Sequence, residues 1–191
     1  MKQRADFFIE TPFSNWKGYQ LMRRLLSAFL LLVVFLSSFS AARACEEFPE
    51  LRVNPARVVL KKNQTRTIAI RVEDVVDLYG VDIIVAFDPR VVSVIDSDPL
   101  KAGVQVQQGP FLDPGFTVYN YADNEAGVVR FTMTQLNPSP AKSGDGVLFY
   151  IKLRAKDPGR SAIKITKDDM ATRDGIMIET STIPGRVVVK R

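Results

Sequence analysis

Histidine is absent from this chain, cysteine occurs once (Cys45) and tryptophan once (Trp16). Without histidine the commonest general acid–base group is missing, and nucleophile–base pairs lose their usual base. A single cysteine excludes an intrachain disulfide, and with no histidine it excludes a Cys/His zinc site. No long helical pattern is present beyond residue 51: three turns of amphipathic periodicity are nowhere found. Whole classes of enzyme mechanism are thus closed, and catalysis is not expected.

What is present is an ordinary share of apolar residues, 46%, with 25% charged, in 191 residues. That composition suits one packed domain with additional segments. The net charge of +5 is unevenly placed. Residues 1–44 hold six Lys/Arg and two acids, leaving 20 basic and 19 acidic residues in 45–191, a net of +1. No basic stripe can be read along that remainder, so nucleic acid is not an expected partner.

The N-terminal region reads as an address. Arg23-Arg24 precedes an apolar run over residues 25–36, then small residues ending in Ala42-Arg43-Ala44. Positive charge, a short apolar run and an Ala-x-Ala end define a secretory signal over 22–44. The run is shorter than the ~20 residues that span a bilayer. Residues 1–21 lie outside that pattern, which suggests translation from Met22 and a misassigned extension before it. Cleavage after Ala44 is expected, giving a secreted or cell-surface domain over 46–191. Lipid attachment at Cys45 is the alternative and the one expected route to a membrane, although Ala42 and Arg43 depart from the usual lipobox.

Beyond residue 51 the sequence reads as strands. β-Branched and aromatic runs at 58–60, 65–73, 81–87, 91–95, 116–121, 128–135, 147–155, 162–166, 176–179 and 186–190 are separated by Gly, Pro, Asn and Asp clusters. Ile68, Ile70 and Val72 alternate with Thr67, Ala69 and Arg71, and Val147, Phe149, Ile151 and Leu153 alternate with more polar neighbours. Period two means one buried and one wet face. The connections are too short for crossover helices. The expected fold is an all-β, jelly-roll β-sandwich of about nine strands.

Paired carboxylates are the remaining candidates for chemistry: Asp96/Asp98, Asp123/Glu125 and Asp168-Asp169. Each lies in a stretch that reads as a turn, where Asp closes the backbone through its own carboxylate. No EF-hand spacing occurs, so neither a metal nor a cofactor is expected. Gly144-Asp145-Gly146 lacks the following helix and Gly-Lys-Ser/Thr of a phosphate loop and reads as a tight connection into a strand. Asn63-Gln64-Thr65 matches a glycosylation acceptor, a pattern frequent by chance.

Three ordered stretches carry a resemblance. They are the Gly-led strand Gly80-Val81-Asp82-Ile83-Ile84-Val85-Ala86-Phe87-Asp88-Pro89 with the short strand after it, Gly127-Val128-Val129-Arg130-Phe131-Thr132-Met133, and Ser143-Gly144-Asp145-Gly146-Val147-Leu148-Phe149-Tyr150-Ile151-Lys152-Leu153-Arg154-Ala155 followed by Pro158-Gly159. In that order the chain resembles the cohesin family over residues 51–191. The resemblance implies a jelly-roll sandwich that binds a dockerin-bearing protein through one sheet face, in polysaccharide degradation or cell-surface assembly.

Period two then selects the side chains. Val81, Ile83, Val85 and Phe87 are expected in the core, with Asp82, Ile84 and Ala86 on the opposite face. Val129, Phe131 and Met133 are expected inside, and Arg130, Thr132 and Thr134 outside. Tyr119 and Tyr121 share a face of the preceding strand. The resemblance places Asp82 at a partner-contacting position and Gln135 where an acid is common. Gly80 stands where Asn is common, a departure bearing on dockerin specificity. The expected partner surface is therefore Asp82, Ile84, Ala86, Tyr119, Tyr121, Arg130, Thr132, Thr134 and Gln135. Two further readings stand beside it: a carbohydrate-binding module using Tyr side chains on polysaccharide, and a structural component of a surface or secretion assembly.

Overall fold

The structure is a computed structural model that describes residues 48–191. The expected extension at 1–21, the signal at 22–44 and Cys45 lie outside the described residues.

Twelve strands and no helix make up the described region. In chain order they are β1 (Glu50–Asn54), β2 (Arg57–Lys61), β3 (Thr65–Leu78), β4 (Gly80–Ala86), β5 (Val92–Val94), β6 (Gln107–Gln108), β7 (Phe116–Asp123), β8 (Val128–Thr134), β9 (Lys142–Ala155), β10 (Gly159–Ala171), β11 (Ser181–Ile183) and β12 (Gly185–Lys190). They form two six-stranded sheets. One runs β11-β1-β3-β9-β5 with β6 also on β9, and the other runs β2-β12-β10-β4-β8-β7. Pairing is antiparallel except at two places, where β1 meets β11 and β2 meets β12 in parallel.

Alternation is what divides the sheets into inner and outer faces. In β4 and β8 every second residue is buried: Val81, Ile83 and Val85 in one, Val129, Phe131 and Met133 in the other. β12 buries Val187 and Val189, and β2 buries Val58 and Leu60. From the facing sheet come Ile68, Ile70, Phe149, Ile151 and Leu153. The two layers meet at Phe131 of β8 and Phe149 of β9, whose rings stack with centroids 4.6 Å apart. Both are wholly buried, and such aromatic pairs contribute about 0.5–1.5 kcal/mol beyond their buried area.

Several elements differ from the sequence reading. β3 does not stop at Glu73 but runs to Leu78, because irregularities at Asp74 and Asp77 let it continue beside β9. Both aspartates hold positive φ, 56° and 55°, a region Asp visits more readily than most residues. Their amides donate to Asp145 Oδ1 (2.8 Å) and Ser143 Oγ (3.0 Å). Gly144-Asp145-Gly146 therefore belongs to β9 itself. β1, β6 and β11 were not legible as strands, while 176–179 forms no strand beyond a bridge between Met177 and Ala171.

Asp168 and Asp169 are a correction. They lie inside β10, not in a turn, with Asp169 directly opposite Asp82. A register shift between Ile165 and Lys167 inserts one extra residue, so strict alternation breaks at Thr166. The other two carboxylate pairs do shape loops. Asp96 Oδ1 accepts from the amides of Asp98 and Gln105, and Asp123 Oδ1 accepts from Glu125 and Ala126. These backbone donors hold both carboxyls below their ordinary range.

Candidate binding face

The site is built on the outer face of β10-β4-β8-β7. Register stacks its side chains in rows across the four strands. One row is Lys167, Ile84, Arg130 and Tyr121; the next is Asp169, Asp82, Thr132 and Tyr119; the third is Ala171, Gly80, Thr134 and Phe116. Eight of the nine expected residues are therefore brought to one face: Asp82, Ile84, Ala86, Tyr119, Tyr121, Arg130, Thr132 and Thr134.

Gln135 is the exception and a correction. It follows the last residue of β8 and is 1% exposed. Its amide nitrogen donates to the Leu112 carbonyl at 2.8 Å, so it anchors the 109–115 loop from inside. A neutral amide suits that buried position better than a carboxylate, which would have to be desolvated there.

Asp82 is the centre of the face. Its Oδ1 accepts from Arg130 Nε (3.0 Å) and Thr132 Oγ1 (2.5 Å), and its Oδ2 accepts from Arg130 Nη2 (2.9 Å) and Lys167 Nζ. Lys167 also pairs with Asp169 at 2.9 Å. Partial burial opposes the charge on Asp82, but the donors Arg130, Lys167 and Thr132 outweigh it and hold the carboxyl well below the usual carboxylate range. The same bonds raise Arg130 and Lys167 above their ordinary values. The Arg–Asp contact is bidentate, which fixes the guanidinium plane as well as its charge. That plane lies over the Tyr119 ring, with Cζ 4.3 Å from the ring centre.

Beside this locked polar centre runs an exposed apolar strip on the edge strand β7. Phe116, Val118, Tyr119 and Tyr121 are 54%, 49%, 46% and 42% exposed. A register shift between Thr117 and Tyr119 leaves Val118 as the extra residue of a bulge. On the inner side of the same strand, Asn120 fastens β7 to the 104–106 segment: its side chain accepts from the Val106 amide and donates to the Val106 carbonyl, both at 2.8 Å. Asn124 makes the same double contact with Val94.

Sequence reasoning missed Lys167, Asp169, Phe116 and Val118. The β10 residues were hidden by the bulge at Thr166. Phe116 and Val118 were hidden by the bulge between Thr117 and Tyr119, which breaks the parity that Tyr119 and Tyr121 share. The arrangement offers no reacting pair: the Asp82 carboxylate is fully engaged by cations and a hydroxyl. Among the described residues, no group of three or more acidic or thiol side chains stands close enough to hold a metal ion. Chemically the face can pack, donate and accept, with an ordered polar centre and aromatic flank, a combination found at protein interfaces.

Comparison with known proteins agrees with this geometry. The model of the cohesin domain family matches residues 52–189. No curated protein matches the chain. Among solved structures, a non-cellulosomal cohesin from the archaeon Archaeoglobus fulgidus superposes with a TM-score of 0.60 at 17% identity, over 75% of this chain and 92% of that one. A type II cohesin domain from the cellulosome of Acetivibrio cellulolyticus gives 0.63 at 14% identity, over 73% and 95%. The cohesin of a type I cohesin–dockerin complex from Clostridium thermocellum gives 0.61 at 15% identity, over 75% and 100%. At such identities the likeness concerns the fold, a jelly-roll sandwich, while the family match rests on the sequence itself. This chain belongs to the cohesin domain family.

Proposed function

We propose that this protein is a non-catalytic module that docks a dockerin-type protein on the outer face of β10-β4-β8-β7. The observation that carries the reading is Asp82, held by Arg130, Thr132 and Lys167 beside the exposed Tyr119, Tyr121, Phe116 and Val118. Pre-ordered side chains bind with little loss of rotamer freedom, and exposed Tyr and Arg are favoured anchors. Similar structures include cohesins captured with dockerins, which supports the class of partner. Gly80 leaves a shallow place beside Thr134, where a larger side chain would alter the contact. Export by the signal at 22–44, with cleavage after Ala44, fits a role in extracellular polysaccharide degradation or surface assembly. Lipid attachment at Cys45 would place the same module on a membrane.

Titration calorimetry of the purified protein against purified type I and type II dockerin modules tests this. One class is expected to bind one-to-one. Absence of binding to every module of both classes would overturn the reading. Mass analysis of the exported protein checks the start at Cys45 and any lipid on it.

A further inference from the structure

The other half of the same sheet carries a second surface, independent of the dockerin reading. In β2, β12 and the first part of β10, burial alternates so that Val58, Leu60, Val187, Val189, Ser161 and Ile163 point inward. The outward positions are then Arg57, Val59 and Lys61 on β2, Arg186, Val188 and Lys190 on β12, and Arg160, Ala162 and Lys164 on β10. Six of these nine carry positive charge and none carries negative charge. No basic run is visible along the sequence; the fold gathers one from three distant segments. Residues 48–191 as a whole hold 20 basic and 17 acidic residues, a net of 20 − 17 = +3, so the patch reflects segregation and not bulk charge.

Two details mark the patch as more than a solvated face. Arg186 stands directly opposite Arg57, and Lys190 directly opposite Lys61. Like charges facing each other across strands are destabilising. Among the described residues, no ion pair relieves any of these six cations, although nine other close contacts do pair cations with acids elsewhere. Protection of a free sheet edge accounts for charge on β2. It does not account for Arg186 and Lys190 one strand in, or for Arg160 and Lys164 two strands in.

The shape beside the patch selects the ligand. A groove follows the free edge of β2 and is lined by Arg57, Val59, Asn63, Gln64, Thr65 and Arg66 among others, with no acid in its lining. Guanidiniums bind carboxylates in a bidentate fork, while amide and hydroxyl side chains suit sugar hydroxyls. No aromatic side chain stands on the patch or in the groove, so base stacking is not provided for. On the patch valine is the largest apolar side chain, and Leu60 of the groove is buried, so nothing is offered for insertion into a bilayer.

We infer that the β2-β12-β10 face and its edge groove bind an acidic polysaccharide, a linear chain bearing uronate-type carboxylates. Such a site would hold the protein on an anionic sugar matrix while β4, β8 and β7 remain open to a protein partner.

Affinity electrophoresis of the purified full chain through gels containing polygalacturonate tests the inference, with neutral cellulose derivatives, vesicles containing anionic phospholipid and duplex DNA as parallel probes. Retardation by polygalacturonate is expected at 50 mM salt, weakening at least about tenfold by 200 mM as counterions compete. Arg186→Glu/Lys190→Glu should abolish it, and the milder Arg186→Gln/Lys190→Gln should weaken it about tenfold while the circular dichroism spectrum stays native. Dockerin titrations of the same variants separate this site from the β4-β8-β7 half of the sheet. No retardation at 50 mM salt, or equal retardation of folded variants, would overturn the inference. Tighter binding to anionic vesicles or duplex DNA than to polygalacturonate would overturn the choice of ligand.

Discussion

Replacing Asp82 with Asn isolates the polar centre of the face, because the side chain keeps its shape and loses its charge. In the wild type two carboxylate oxygens accept four hydrogen bonds from Arg130, Thr132 and Lys167. An amide can accept on one atom only, and its NH2 would then confront a cationic donor. Charge-assisted bonds contribute roughly 1.5–3 kcal/mol each, but they do not sum here. Arg130 and Lys167 side chains are 30% and 35% exposed and can turn partly to water, and Lys167 keeps Asp169. The expected loss at pH 7 is therefore about 2 kcal/mol, with a fall in Tm of about 4–8 °C for a domain of this size. The pH dependence has a definite sign. The folded carboxyl lies below its ordinary value, so its stabilisation is fully present above the unfolded value near 3.9 and is lost as pH falls below it. The gap between wild type and Asp82→Asn should accordingly narrow below about pH 4. Urea unfolding followed by far-ultraviolet circular dichroism at pH 7 and pH 3 measures both; Trp16, the sole tryptophan, lies outside the described domain. Equal stabilities at pH 7, or a gap that does not change with pH, would refute the assignment of Asp82 as a charged hub.

Other outcomes follow from packing. Phe131→Ala removes a wholly buried ring from the stack that joins the sheets, and should cost about 3–5 kcal/mol in chemical denaturation. Gly127→Ala should cost about 2 kcal/mol or more, since Gly127 holds φ 73° and a Cβ there would lie 2.3 Å from the Phe87 carbonyl oxygen. Gly80→Asn should change stability by less than about 1 kcal/mol, because its Cβ would meet Thr134 Oγ1 at an acceptable 3.4 Å, while altering selectivity among dockerin modules in the titration described above.

How much of this could be read in advance varied with distance along the chain. β4 and β8 were legible because strict alternation of Val81, Ile83, Val85 and of Val129, Phe131, Met133 leaves one arrangement of faces. The rows on the binding face followed from the same parity. What failed were places where parity is broken by one inserted residue. Thr166 hid the second half of β10, and with it Lys167 and Asp169; Asp74 and Asp77 hid the end of β3. Gln135 was misplaced because the resemblance, not parity, put it on the face: it continues the inward positions Val129, Phe131 and Met133 and is buried as they are. Strands as short as β6 and β11 carry no periodic signal at all. The basic patch is a tertiary fact: Arg57, Arg160 and Arg186 are more than a hundred positions apart at the extremes, and only the parallel β2–β12 pairing brings the first and last strands of that sheet together.

If a dockerin-type partner docks on β10-β4-β8-β7, a paired substitution on that face must weaken its binding while leaving the fold intact. Tyr119 and Tyr121 are each nearly half exposed, so Tyr119→Ala/Tyr121→Ala should leave the fold within about 1 kcal/mol of wild type. Calorimetric affinity for the dockerin module that binds wild type should fall at least about a hundredfold, as expected when two aromatic anchors are truncated. Lys152→Ala, exposed on β9 of the opposite sheet, should bind as wild type does. Unchanged affinity in the double tyrosine variant, or a loss that Lys152→Ala shares, would contradict the account.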